Sequence, residues 1–259
     1  GTPAGGRQPK AIIAINRKTG EIRSGQISGL EDFDYYLLKF GNSEYCSSEL
    51  EMTYYELATT AGINMMPSEL YAVENNRHFM TKRFDRNGTK KVHTQTLAAI
   101  YPDAESYEQL IAVCRKLHLP EADCQEVFRR MVFNVLANNT DDHNKNFSFL
   151  MDDDGHWHVA PAYDYTFSVD PDAPYYVNRH SMTVNNKTEG ITAEDLLEVA
   201  RRYGIKAAEP FIEKAIGIVS HYPEYGREAG VGEEWIGTIE KEIAARIECV
   251  SDNRADRLK

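Results

Sequence analysis

Apolar residues follow two different spacings along this chain. Before residue 86, short apolar runs at 11–15, 35–40 and 70–73 are separated by turn-forming residues, which predicts β-strands. Beyond residue 106, apolar residues recur at helical spacing, which predicts helices over 107–117, 120–136, 192–204, 210–220 and 233–250. The pattern predicts an α+β chain whose first part is mainly β and whose second, larger part is mainly helical.

One helix interrupts the early strands. Its apolar stripe runs through residues 50–61, and Gly62 follows directly as a residue suited to end a helix. Ser47 or Ser48 has the hydroxyl that commonly caps a helix start. We therefore predict a helix that begins near residue 48 and ends at residue 61.

A lysine lies near the end of the aromatic strand 35–40. Kinases place the lysine that grips the nucleotide phosphates on such a strand, and Lys39 occupies this position. The helix that follows carries acidic residues that could pair with it, and Glu51 is favoured over Glu49 and Glu56. A surface lysine beside a solvated helix face is the alternative interpretation.

A polar stretch at 138–146 separates the helical run 120–136 from the apolar run 147–150. Packing on both sides would hold its side chains rigidly, as a functional site requires. Asp141 and Asn146 are five positions apart, which is the spacing of the Asp and Asn in the protein-kinase catalytic loop. In that loop the Asp orients the attacking hydroxyl and the Asn holds a metal ion.

The elements after the polar stretch strengthen this interpretation. A hairpin is predicted from a strand at 147–150, a turn at 152–155 and a return strand at 157–160. Kinases place a second metal-binding Asp after such a hairpin, and here Asp164 follows it, without the usual Phe-Gly. Magnesium prefers hard oxygen ligands, which Asn146 and Asp164 would supply.

Two other assignments in this region stay open. Asp142 could replace Asp141 as the base, although its spacing to the Asn fits less well. His156 and His158 alternate on a predicted strand, but a zinc site would need further His or Cys ligands nearby, and the sequence places none there.

Composition narrows the class of protein. The net charge of −11, from 29 basic and 40 acidic residues, argues against direct nucleic-acid binding as the main function. The four cysteines lack C-x-x-C spacing, and the sequence shows no signal peptide and no apolar span of 18 residues. We therefore expect a cytoplasmic protein without a membrane partner.

Several motifs, in order, resemble the HipA family of bacterial serine/threonine kinases. They are Gly5 to Lys10, Lys39-Phe40, Lys82 to Arg86, His93 to Leu97, Thr140 to Ser148 and Pro161 to Asp164. The resemblance implies a two-lobed protein-kinase-like fold, with a mainly β N-lobe at 1–86 and a helical C-lobe at 87–259. It also implies ATP and Mg²⁺ as cofactors, and a type II toxin restrained by a HipB-like DNA-binding antitoxin. Where targets in the family are known, they are aminoacyl-tRNA synthetases, so such a protein substrate is expected.

The resemblance also assigns roles to residues. Asp141 would be the catalytic base, Asn146 and Asp164 the magnesium ligands, and Lys39 the lysine on the phosphates. The remaining nucleotide contacts would be Gly5, Gly6, Arg7, Gln8 and Lys10 in the phosphate loop, Lys82, Arg83 and Phe84 in the adenine link, and His143 and Lys145.

The sequence departs from the family pattern at its start. HipA proteins carry a small N-terminal subdomain before the Gly-rich loop, and nothing precedes Gly1 here. We expect either a fragment or a form whose N-terminal subdomain is a separate protein. Many members are switched off by phosphorylation of a serine in this loop. Pro3 stands at roughly that place, so such self-inhibition is expected to be absent or moved to Thr2.

Two other functions remain as alternatives. One is a nucleotide-binding module that transfers no phosphate and acts through partners. The other is a small-molecule kinase of the aminoglycoside or choline type, which shares the spacing of Asp141 and Asn146.

Overall fold

A five-stranded antiparallel sheet forms the first part of the computed structural model, which describes residues 8–27, 30–168 and 179–255. Its strand order is β2-β1-β3-β5-β4. The strands are β1 (Lys10–Ile15), β2 (Ile22–Ser24), β3 (Asp34–Lys39), β4 (Ser68–Val73) and β5 (Asn76–Lys82). The predicted strands are present, and the sheet also contains the inner strand β5, which the apolar pattern did not predict.

β3 lies at the centre of this sheet and delivers Lys39. It pairs with β1 on one side, where Lys39 lies opposite Lys10, and with β5 on the other, where it lies opposite Phe79. Tyr35, Tyr36 and Leu38 are buried on β3. This packing fixes the end of the strand and therefore the position of the Lys39 side chain.

The helix α1 (Ser47–Ala61) begins differently from the prediction. Cys46 is the N-cap residue, with φ 48°, and no side chain caps the helix. Ser48 is buried, and its Oγ accepts a hydrogen bond from Phe79 N at 3.1 Å, so this serine joins α1 to β5. Gly62 ends the helix with φ 94°, as the sequence predicted.

Helices form most of the second part. They are α2 (Leu97–Ile100), α3 (Tyr107–Lys116), α4 (Glu121–Leu136), α5 (Ala193–Tyr203), α6 (Ala208–Val219), α7 (Tyr222–Ala229) and α8 (Glu233–Ala255). α4 is the core helix, because nearly every residue from Val127 to Leu136 is buried, including Arg130 and Asn134. The sequence pattern missed α2 and α7, which are too short to show a full helical repeat.

Two small sheets complete the described fold. β6 (Arg86–Asn87) pairs with β7 (Lys90–Lys91), and β9 (Ser148–Met151) lies between β8 (His93–Thr96) and β10 (Trp157–Val159). The predicted hairpin is thus β9–β10, and β8 joins it from a distant part of the chain. A small antiparallel sheet region beside a helical region confirms the predicted α+β, two-lobed kinase-like fold class. Among the described residues, no helix combines the length and apolar character needed to cross a bilayer.

Candidate active site

Three charged side chains from distant segments meet where the sheet faces the helical part. The Lys39 ammonium forms ion pairs with the carboxylates of Glu51, on α1, and Asp164. The predicted pairing of Lys39 with Glu51 is therefore confirmed. The side chains of Lys39 and Glu51 are 7% and 5% exposed, whereas that of Asp164 is 37% exposed. Solvent reaches this group of three mainly at Asp164.

The electrostatics favour the charged forms of Lys39 and Asp164. Burial by itself lowers the pKa of Lys39, but Glu51 and Asp164 outweigh it and hold the pKa above its ordinary value. Burial raises the pKa of Asp164, but the adjacent Lys39 ammonium more than offsets this and leaves the pKa below its ordinary value. Asp164 is therefore a carboxylate at neutral pH and can act as a hard oxygen ligand.

Asp164 has an unusual backbone conformation. Its φ is 56°, in the left-handed region that residues other than glycine adopt infrequently. Such conformations cost free energy and persist where surrounding contacts enforce them, often at functional sites. In this structure, the residue with this backbone conformation is the one whose carboxylate pairs with Lys39.

The polar loop after α4 presents Asp141 to solvent. Its amide N donates to Ser168 Oγ at 3.1 Å, and its carbonyl O accepts from Asn146 Nδ2 at 2.8 Å. These bonds fix the backbone and leave the carboxylate, 63% exposed, pointing outwards with His143 Nε2 at 3.6 Å from Oδ1. The geometry brings Asp141 and Asn146 together, as the spacing predicted.

The Asp141 carboxyl has an environment suited to proton acceptance. Its partial removal from water raises its pKa, and the negative charges of Asp164 and Asp142 add to this, while His143 acts in the opposite direction. A carboxylate with a raised pKa is a better acceptor for a hydroxyl proton than an ordinary one.

Asp142 has a different environment from its neighbour. It is 1% exposed, and its Oδ2 accepts from Tyr107 OH at 2.7 Å and contacts His180 Nδ1 at 2.9 Å. Its Oδ1 accepts from the amides of Ser181 and Met182 at 2.8 and 3.3 Å. With both oxygens occupied inside the protein, Asp142 anchors the loop and is not placed to meet an incoming hydroxyl.

The anchor continues into α4. Asn134 Nδ2 donates to Tyr107 OH at 2.8 Å, and Asn139 Nδ2 donates to Asn134 Oδ1 at 3.0 Å. These side chains are buried, so each hydrogen bond avoids the cost of an unpaired polar group. The sequence analysis missed Tyr107, Asn134 and His180, because partners so far apart carry no local motif.

The predicted phosphate-loop residues are only partly described. Gly5, Gly6 and Arg7, like Thr2, lie outside the described residues. Gln8 Nε2 donates to Phe40 O at 3.1 Å, beside the end of β3. Lys10 lies opposite Lys39 in the β1–β3 register, and its charge reaches Asp164, whose pKa it helps to lower.

The three residues of the predicted adenine link make two kinds of contact: Lys82 and Arg83 form ion pairs, and Phe84 forms a ring contact. Lys82 Nζ donates to Asp34 Oδ1 at 2.9 Å, and Arg83 donates to both carboxylate oxygens of Asp85 at 2.8 and 2.6 Å. The charged ends of both side chains are therefore used in local ion pairs. Phe84 instead packs on Tyr163, with ring centroids 5.6 Å apart, directly beside Asp164.

Tyr163 is a further residue that sequence reasoning missed. Its hydroxyl contacts Ser148 Oγ at 2.6 Å and donates to Lys145 O at 2.8 Å. It therefore joins the Asp164 segment to the loop that carries Asn146. The Lys145 side chain is exposed. The only available signal was the position of Tyr163 next to the predicted metal ligand.

The donor set at this site fits a magnesium ion. Asn146 uses its amide nitrogen for the bond to Asp141 O, which leaves Oδ1 as its ligand atom. Asp164 adds a carboxylate that is partly open to solvent. The alternating histidines lie beside different carboxylates, since His156 contacts Asp152 and His158 contacts Asp123, both at 3.4 Å.

A small antiparallel sheet over a helical region, with a Lys–Glu–Asp group between them, defines the class of kinase-like folds. The family model described as the HipA-like C-terminal domain matches residues 2–224. The chain belongs to this family. The resemblance on which the sequence interpretation depended is therefore confirmed.

Relatives and solved structures agree with this assignment. "Putative kinase Y4dM" of Sinorhizobium fredii is 26% identical over 194 residues, which is 70% of this chain and 45% of that protein. A "Putative kinase" of Haemophilus influenzae is 29% identical over 194 residues, which is 66% of this chain and 54% of that protein. The chain thus spans about half the length of the curated relatives it matches.

Two solved structures share the fold. HipA of Shewanella oneidensis MR-1, in a complex with HipB and its operator DNA, matches with a TM-score of 0.72 and 18% identity, over 96% of this chain and 66% of that one. The Helicobacter pylori proinflammatory kinase CtkA matches with a TM-score of 0.58 and 16% identity, over 87% and 92% of the two chains. Family and neighbours together support a kinase-type function.

Proposed function

We propose that this chain is the kinase region of a HipA-like serine/threonine protein kinase, which transfers the γ-phosphate of ATP to a protein hydroxyl. The observation that carries the proposal is the contact of Lys39 with both Glu51 and Asp164. These three groups come from three separate segments, and a Lys–Glu ion pair next to a metal-binding Asp is the arrangement that protein kinases use to hold their nucleotide. We propose that the division between the lobes falls at residue 86.

Each side chain has a proposed task. Lys39, fixed by Glu51, would contact the nucleotide phosphates, and Asn146 with Asp164 would hold Mg²⁺. Bound magnesium would neutralise the charge of the phosphates. Asp141 would orient the acceptor hydroxyl and accept its proton, because its carboxylate is exposed and its pKa is raised.

The remaining nucleotide contacts belong to the same proposal. The phosphate loop would comprise Gly5, Gly6, Arg7, Gln8 and Lys10, with His143 and Lys145 as further contacts. For the adenine ring we favour Phe84, whose ring packs on Tyr163, the residue before Asp164, over Lys82 and Arg83, whose charged ends are held by aspartates.

The partners are also a proposal. The Shewanella oneidensis HipA was crystallised with HipB and operator DNA. We propose that a HipB-like antitoxin restrains this protein as the toxin of a type II pair, and that its substrate is a translation protein such as an aminoacyl-tRNA synthetase. A separate N-terminal subdomain protein is a further proposed partner.

Incubation with γ-labelled ATP, Mg²⁺ and a bacterial lysate tests the function directly. We expect a labelled protein band whose label is stable as phosphoserine or phosphothreonine, and no band with Asp141→Asn. Asp154→Asn is the matched control, because Asp154 is an exposed residue of the β9–β10 turn. A labelled metabolite in place of a protein would favour a small-molecule kinase. Nucleotide binding without any label would favour a module that acts through partners.

A further inference from the structure

A buried ion pair lies on α4, the helix that leads into the catalytic loop. Arg130 is 1% exposed, and its Nε donates to Glu126 Oε1 at 2.9 Å. A buried ion pair adds little net stability compared with apolar packing of the same volume. We therefore ascribe to this ion pair a role in holding the backbone segments that the two side chains contact.

Arg130 holds the segment that leads to Asp164. Its Nη2 donates to Ala160 O at 2.8 Å, four residues before Asp164. Two turns earlier on α4, Asp123 Oδ2 accepts from Val159 N at 3.1 Å. The same helix thus fixes the end of β10 and the backbone that continues from it.

Glu126 holds the segment that follows α1. Besides Arg130, its Oε1 accepts from Asn64 N at 3.0 Å. Asn64 O in turn accepts from Ala162 N at 2.8 Å, and the neighbouring Met65 forms a parallel bridge with Ala162. The Asn64 backbone is therefore held by α4 on one side and by the Asp164 segment on the other.

We propose that Glu126 and Arg130 are positioning residues that set Asp164 relative to Lys39. The pair joins the three segments that carry the site: α1 with Glu51, α4 before Asp141, and the approach to Asp164. Both side chains are buried, so the pair acts through the backbone it holds. This inference rests on the proposed function and adds residues to it.

Arg130→Lys is the test variant, with Arg129→Lys as its matched control. A lysine keeps the positive charge but lacks the fork of donors that lets Arg130 reach Glu126 and Ala160 together. Arg129 is the next residue, also pairs with Glu126, at 3.1 Å, and is more exposed. It has no hydrogen bond to Ala160.

Amide hydrogen exchange gives a readout that needs no nucleotide. In Arg130→Lys, we expect the amide of Ala162 to exchange at least about tenfold faster than in the unmodified protein, because Ala160 O, two residues earlier, loses the donor that holds this backbone. Arg129→Lys should stay within about twofold. Unchanged exchange at Ala162 in Arg130→Lys would overturn the proposal.

ATP affinity, measured with and without Mg²⁺, distinguishes a role in positioning Asp164 from general destabilisation of the protein. We expect Arg130→Lys to lose about tenfold in ATP affinity with Mg²⁺ present, and little with EDTA, because only the metal-dependent part depends on Asp164. An equal loss in both conditions would indicate general damage and contradict the proposal. If the unmodified protein binds no nucleotide, the proposed function fails, whereas the exchange result still decides the positioning role.

The double variant Glu126→Met/Arg130→Met is the second test, to be used if Arg130→Lys does not fold. It removes both charges at similar volume, so the fold should persist. We expect the same fast exchange at Ala162. A folded double variant with unmodified exchange would refute the positioning role, and unfolding of both variants would make the pair a requirement of folding instead.

Discussion

Lys39 and Asp164 are 125 positions apart in the sequence and form an ion pair in the fold. The lysine is buried and the aspartate is partly open, so solvent reaches this ion pair mainly at the carboxylate. Glu51 fixes the lysine from the other side. This arrangement supports a phosphate-gripping ammonium next to a metal-binding carboxylate, and several measurements can test it.

Asp164→Ala should weaken magnesium-dependent ATP binding. It removes the proposed metal ligand and leaves Lys39 paired with Glu51, so the loss should appear mainly when Mg²⁺ is present. We expect an affinity at least about tenfold lower by calorimetry, which is at the low end for changes at a metal site. Asp154→Asn, in an exposed turn, is the control. Equal affinities for Asp164→Ala and the unmodified protein would remove the metal role.

Asp141→Asn should reduce phosphoryl transfer and spare ATP binding. An amide keeps the size of the carboxylate but cannot accept the hydroxyl proton, so transfer should fall about 10²–10⁴-fold. ATP affinity should stay within about twofold, because the exposed carboxylate is assigned to the acceptor. Single-turnover rates and equilibrium titrations would measure the two effects separately. A variant that transfers phosphate at the original rate would exclude Asp141 as the base.

The adjacent aspartates should differ sharply in stability. Asp142→Ala would leave Tyr107, His180 and the amides of Ser181 and Met182 without their acceptor. We expect the free energy of unfolding to fall by about 3 kcal/mol or more. Asp141→Ala should change it by no more than about 0.5 kcal/mol, because this carboxylate is exposed. Urea unfolding of both variants measures these changes. Similar losses in the free energy of unfolding would contradict a buried Asp142 beside an exposed Asp141.

The cap of α5 should give a pH-dependent contribution to stability. Burial raises the pKa of Asp195, but Lys187, Thr192 and Asn185 together lower it below its ordinary value. Because the folded pKa is lowered, the stabilisation is present above the unfolded pKa and is lost as the pH falls through the folded pKa. Asp195→Asn should cost about 1 kcal/mol at pH 7, a typical loss for a helix cap.

Stability curves at several pH values would test this dependence. The difference between Asp195→Asn and the unmodified protein should shrink as the pH falls below about 4, near the ordinary Asp pKa. Glu198→Gln, a change at a partly exposed residue of the same helix, should show no comparable trend. A difference that stayed constant down to pH 2 would contradict the assigned carboxylate contacts.

Local patterns predicted much of the fold. Helical periodicity and the glycine that ends the helix placed α1 within one residue of its ends, and short apolar runs placed β1, β3 and β4. These predictions succeeded because burial along one element follows from its own sequence. The choice of Glu51 as the partner of Lys39 succeeded because the strand and the helix that carry them are neighbours in the chain.

Predictions failed where a residue depends on distant partners. Ser48 looked like a helix cap, but its hydroxyl is used by Phe79 of another strand. β5 was not predicted as a strand, although it is an inner strand of the sheet. Asp142 stayed open as a base, because its partners at 180–182 lie about 40 positions away and show no pattern of their own.

The sequence by itself determined the class of fold through its periodicity, and the family through the resemblance of its motifs to HipA, because both are local properties of the chain. Only the tertiary structure decided which of the two adjacent aspartates is exposed and which is an anchor, and which segments α4 holds together. The physical reason is that a carboxylate's environment depends on the groups that packing brings to it, and those groups come from remote parts of the chain.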